Sequence, residues 1–162
     1  MNQKNNHIDG QLNPNRLEIV SWSESYATGI EKIDNQHKEL MKLTNELYRA
    51  CLSGKDNANS AFKEAMRRMV EYVRFHFSDE QKLLERVKYP DYIEHKRQHD
   101  TLVMNILEAV KEFEKGNKFV PNSFVRTLKD WVFGHIAVLD KTYAFYINGQ
   151  RKKGLITDQQ LS

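Results

Sequence analysis

Apolar residues recur along this chain in steps of three and four, in four separate runs. The first passes through Ile33, Leu40, Thr44, Leu47 and Cys51, with His37 on the same phase. The second passes through Phe62, Met66, Met69, Val73 and Leu83, with His76 and Glu80 interleaved. The third runs Tyr92, His95, His99, Leu102, Ile106, Ala109 and Phe113, and the fourth Phe124, Leu128, Trp131, His135, Val138, Thr142 and Phe145. Steps of this kind line one face of an α-helix. The breaks between runs carry helix-stopping residues: Gly54 in SGKDNANS, Pro90 in KYPD and Pro121 in GNKFVPN. The pattern predicts helices over about 30–51, 59–87, 90–113 and 121–148, with the third starting at Pro90 and the fourth at Pro121 or Asn122. No stretch alternates as a strand does. Four long helices joined by short loops predict an all-α, up-down-up-down four-helix bundle.

The ends are different in character. Residues 1–21 are polar and Asn-rich at first, and read as a flexible N-terminal arm that includes His7. Trp22, Tyr26 and Ile30 are expected to cover one end of the bundle. The bundle itself is expected over 22–148, and 149–162 as a polar C-terminal tail that includes the basic run at 151–153.

Bulk properties narrow the function classes. At 162 residues with 40% hydrophobic and 29% charged positions, one core suffices without a disulfide or metal staple. The net charge of +3 comes from interleaved signs, so no basic stripe points to nucleic acid. No run approaches the ~18 apolar residues of a membrane span. The N-terminus lacks the apolar stretch of a secretory signal, and the single cysteine, Cys51, fits a reducing compartment, so a cytoplasmic location is expected.

The chemistry lies in what interrupts the apolar runs. His37, His76, Glu80, His95, His99 and His135 all fall on inward phases. Burying a polar group without a partner costs about 2–7 kcal/mol. The whole bundle is stable by only about 5–15 kcal/mol. Six such groups must therefore satisfy one another, or share metal. Imidazole and carboxylate are transition-metal ligands, and a structural zinc needs only four. Asp140 makes a seventh donor. It lies five residues after His135, a spacing that reaches the same face only if the helix loosens into a π-type turn. If Glu80 and Asp140 each bridge two metals, the seven donors and a bridging oxygen leave one coordination position open. Gly134, just before His135, suggests a close backbone approach.

IDNQH at 33–37, HFSDE at 76–80, YPDYIEHKRQH at 89–99 and WVFGHIAVLD at 131–140 resemble the successive signatures of the hemerythrin family, in its bacterial single-domain form. The resemblance implies reversible dioxygen binding, for storage, delivery or transport, at two iron ions (Fe2+/Fe3+) joined by an oxo or hydroxo bridge. It implies that His95, His99 and His135 hold one iron and His37 and His76 the other, with Glu80 and Asp140 bridging. The iron with two histidines would carry the open position. Leu40, Phe77, Trp131 and Ile136 are candidates for the wall of the dioxygen pocket. Gln81 and Leu84 depart from the acid and methionine that the family often has there. A carrier, not an enzyme, is the leading expectation; an oxygen- or nitric-oxide-sensing module and a di-iron oxidase or peroxidase are the alternatives.

Overall fold

Each periodic run becomes a helix in the computed structural model, which describes residues 17–52, 58–116 and 120–161. Helix α1 spans Glu31–Leu52, α2 Ala58–Arg86 and α3 Tyr92–Glu114. The fourth rod consists of α4 (Val120–Gly134), a π-helical segment (His135–Asp140) and α5 (Lys141–Lys152). The backbone stays helical at both joints, Gly134 and Lys141, so the rod is continuous. Among the described residues there is no strand. Most of the expected N-terminal arm, His7 included, lies outside the described residues.

Helix α1 packs against α2 and α4, and α3 packs against the same two. Numbers rise on one partner as they fall on the next. Lys32 meets Asp79 while Glu46 meets Arg68; Phe77 meets His99 while Glu85 meets Tyr92; Trp131 meets His99 while Tyr143 meets His95. Neighbours are therefore antiparallel, and the fold is an up-down-up-down four-helix bundle.

Local chemistry sets the helix starts. The Asp34 carboxylate accepts from the backbone N–H groups of Thr28 (2.7 Å) and Gly29 (3.1 Å), and Gly29 takes the left-handed φ of 77° that the turn needs. The Thr28 hydroxyl then accepts from Ile30 N–H at 3.1 Å. Helix α3 begins two residues after the expected Pro90. Tyr92 N–H closes a turn onto Tyr89 O at 3.2 Å, and Pro90, which has no N–H to give, sits inside it.

Two apolar clusters fill the interior. The larger includes Leu40, Leu47, Phe62, Met69, Val73, Leu102, Leu128 and Ile136. The smaller includes Ile30, Ile33, Leu84, Tyr143 and Ile147. The expected cover is divided between them: Trp22 and Tyr26 pack on the larger, Ile30 belongs to the smaller. The segment expected as a polar tail stays helical to Lys152, turns back at Gly154 (φ 71°) and buries Ile156 at 7% exposure in the smaller cluster.

The fourth rod corrects the sequence reading. Val138 and Phe145, expected inside, are 60% and 84% exposed, and Thr142 is exposed too. The π segment is the cause. It holds one extra residue in a turn, and one residue is about 100° of helix. Everything after it is rotated, so Asp140, Tyr143, Ala144 and Ile147 face the core.

Gly134 does not serve a close approach, because a Cβ there would meet nothing within 4 Å. Gly134→Ala is therefore expected to stabilise the fold by about 0.5–1 kcal/mol. Denaturant unfolding checks this; a loss of stability would mean that the π segment itself requires glycine beside it.

Candidate metal centre

Between the two apolar clusters lies a polar layer built by all four rods. Helix α1 supplies His37, α2 His76 and Glu80, α3 His95 and His99, and the π segment His135 and Asp140. All seven are between 0% and 4% exposed. The two i,i+4 pairs project from single faces of α2 and α3. The π segment gives His135 and Asp140 the same inward direction despite their five-residue spacing.

The donors fall into two groups that share a member. Glu80, His95, His99 and His135 each offer an atom within 4.8 Å of the others, and so do His37, His76 and Glu80. Asp140 spans both groups. Its Oδ2 lies 3.1 Å from His37 Nε2, and its Oδ1 lies 3.1 Å from His135 Nε2 and 3.5 Å from His95 Nε2. Glu80 Oε2 lies 3.0 Å from His99 Nε2 and 3.2 Å from His95 Nε2.

Hydrogen bonds among these groups do not satisfy them. His37 Nδ1 and Nε2, His76 Nε2, His135 Nδ1 and both Asp140 oxygens are buried without a hydrogen-bond partner. His37 Nε2 and Asp140 Oδ2 are close at 3.1 Å but not aligned as donor and acceptor. His99 Nε2 and His135 Nε2 face each other at 2.8 Å, which requires a proton or a cation between them. Orphaned donor atoms converging in a closed layer fit metal, and five imidazoles with two carboxylates suit iron.

Electrostatics favour the ligand forms of Glu80, Asp140, His76 and His99, whereas for His37 and His95 the lowering effect of burial is outweighed by the neighbouring Asp140 and Glu80 carboxylates, which raise them. Burial alone would raise the Glu80 carboxyl, but the imidazoles that crowd it, with hydrogen bonds from His95 and His99, pull it well below the usual range. Burial and Glu80 push Asp140 up, yet His135 and His37 bring it down to about 2. Burial holds the His76 imidazole down at about 3, so it stays neutral and able to coordinate. Burial, with the Glu80 and Asp140 charges, drives the Tyr143 hydroxyl well above its ordinary value, keeping it a proton donor.

Around the donors stand supporting groups. Tyr143, 0% exposed, donates its hydroxyl to Glu80 Oε1 at 2.5 Å. Gln36 Oε1 lies 3.0 Å from His76 Nδ1, and Gln81 Nε2 lies 3.2 Å from His99 Nδ1. Phe77 stacks on His99 with ring centres 3.6 Å apart, and Trp131 stacks on His135 at 4.2 Å. Leu40 and Ile136 are buried in the larger cluster beside them. The sequence reading missed Tyr143 and Gln36. Tyr143 lies three residues after Asp140, so an inward Asp140 already implied it; Gln36 sits beside His37, on the flank of α1 that meets α2.

Residues 28–144 match the family model described as the hemerythrin HHE cation binding domain. The chain belongs to the hemerythrin family. It is similar to bacteriohemerythrin of Pseudomonas aeruginosa, at 33% identity over 122 residues, 75% of this chain and 77% of that one. It is also similar to bacteriohemerythrin of Methylococcus capsulatus, at 27% identity over 128 residues, 78% of this chain and 95% of that one. A solved wild-type hemerythrin superposes with a TM-score of 0.72 at 28% identity, over 78% of this chain and 95% of its own. The His/Glu cluster described above lies within the matched residues and could hold a metal ion. No helix among the described residues is long and apolar enough to cross a membrane.

Proposed function

We propose that this chain binds dioxygen reversibly, for storage or delivery, at a pair of irons held by His37, His76, Glu80, His95, His99, His135 and Asp140. The observation that carries this reading is the pair of donor groups sharing Glu80, with Asp140 presenting one oxygen to each. His95, His99 and His135 serve one iron, and His37 and His76 the other. Bound there, the iron pair supplies the electrons that reversible dioxygen capture uses.

The chain's own residues do the rest. Glu80 and Asp140 remain ionised and offset the cationic charge inside the bundle. Tyr143 holds one Glu80 oxygen and so limits the carboxylate's rotation. Leu40, Phe77, Trp131 and Ile136 form an apolar wall that keeps water from the layer. Enclosure supports a carrier over an enzyme: donors at most 4% exposed leave no opening for an organic substrate.

The test is metal analysis with absorption spectra recorded under nitrogen and then in air. Two irons per chain are expected, with a visible band that appears in air and disappears when oxygen is removed. Zinc alone, or iron that oxidises in one irreversible step, would overturn the reading.

A further inference from the structure

A line of polar contacts runs from the surface to His76 without itself supplying a donor to the centre. Lys32 Nζ lies 3.2 Å from Asp79 Oδ2. Gln36 Nε2 donates to the same oxygen at 2.9 Å, and Gln36 Oε1 faces His76 Nδ1 at 3.0 Å. The Tyr72 hydroxyl donates to the backbone oxygen of Gln36 at 3.2 Å, fastening this stretch of α1 to α2. Gln36 is 6% exposed and His76 0%, so their contact lies away from bulk solvent.

This line has a direction. An amide can turn end for end, but an ionised carboxylate only accepts. Asp79 therefore selects the NH2 end of Gln36, which leaves the amide oxygen for His76. An oxygen at His76 Nδ1 requires a proton on that nitrogen. In the neutral ring, Nε2 must then carry the lone pair, and Nε2 is the atom left inside without a partner. Gln81 at His99 differs, because its amide has no second side-chain partner among the described residues to orient it. The amide also transmits orientation without charge. A carboxylate placed directly on Nδ1 would make the imidazole more basic, and Gln36 keeps Asp79 one group away.

We propose that Asp79 and Gln36 are positioning residues that fix His76 as its Nδ1–H tautomer and thereby set how tightly the His37/His76 side of the centre holds its metal. The second half of this statement rests on the metal-centre reading above; the first half does not.

The experiment uses 15N-labelled, metal-free full-length protein and reads the ring nitrogens of His76 by NMR. The wild type is expected to show one Nδ1–H tautomer. Asp79→Asn frees the Gln36 amide to turn, so a tautomer mixture is expected, and Gln36→Leu should give the same result. Lys32→Met should leave the tautomer unchanged, since that 51%-exposed lysine only adds charge to Asp79. Anaerobic titration with ferrous iron alone then tests the consequence. The wild type should take two equivalents, and Asp79→Asn should keep the first and weaken the second about 10–100-fold. A single Nδ1–H tautomer in both Asp79→Asn and Gln36→Leu would overturn the proposal. So would a second iron bound as in the wild type, or equal loss of both irons with an unchanged tautomer. A wild-type chain that takes no iron would defeat the dioxygen reading while leaving the tautomer result to be judged by itself.

Discussion

Glu80→Ala is expected to abolish two-metal binding, leaving at most one metal per chain and no reversible dioxygen band. Glu80 is the donor common to both groups, so its loss is felt on both sides of the layer. It is also one of only two carboxylates among seven donors. Two divalent ions bring four positive charges, and Glu80 and Asp140 together offset two of them. With Glu80 gone, the layer must hold an additional uncompensated charge at a place with no solvent exposure. Removing one partner of a buried charge pair costs about 3–5 kcal/mol, and each 1.4 kcal/mol is about tenfold in affinity. A weakening of roughly 100-fold to 1,000-fold or more follows for the second metal. Glu80→Gln separates charge from shape. It keeps the side-chain volume and an acceptor for the Tyr143 hydroxyl but loses the charge, so it too should fail to hold two metals. Metal content after desalting, with circular dichroism to confirm the fold, checks both variants. Two irons retained in Glu80→Ala would mean that Asp140 and the imidazoles suffice, and that Glu80 has been given the wrong role.

Most of the fold was legible because each helix buries a single stripe, and the steps between Ile33 and Leu47 or between Phe62 and Leu83 admit no other secondary structure. The donors were legible for a related reason: each stands where an apolar residue should, and the cost of burial makes sense only if they meet. The failure came where those two signals disagreed. An inward Asp140 and an inward Val138, Thr142 and Phe145 cannot coexist on one helix, because they require different phases after His135. The apolar spacing argued for an unbroken helix, but Phe145 ends 84% exposed. The donor was the better guide to phase, since a stray aromatic ring on the surface costs little while a candidate ligand turned outward could not join the other donors. Tyr143 went unread for the same reason, since it lies on the stripe that only the π segment brings inside. Gln36 is neither apolar nor a ligand, and pattern alone gives such a residue no address. Its place became visible only when α1 and α2 were seen side by side, with Asp79 opposite.

Stripping the metal from the native protein is expected to lower its melting temperature by on the order of 10–20 °C, with full recovery when ferrous iron is restored under nitrogen. A ligand that binds only the folded state at 100 times its dissociation constant stabilises that state by about 2.7 kcal/mol. Two such sites contribute about 5 kcal/mol, comparable with the ~5–15 kcal/mol that holds a whole domain together. For a chain of this length, 1 kcal/mol moves the midpoint by about 2–4 °C. The metal-free layer must meanwhile keep His76 Nε2, His135 Nδ1 and both Asp140 oxygens buried without partners. The fold itself should survive, because the apolar clusters on either side of the layer do not depend on the donors. Thermal unfolding followed by circular dichroism, before and after chelation, makes the measurement. A midpoint within a degree or two of the native one would show that the seven groups satisfy one another without metal, and that the layer is a hydrogen-bonded core rather than a binding centre. Glu80→Ala sharpens the comparison, because adding iron to that variant should recover less than half of the difference if stability depends on both metals held through a shared carboxylate.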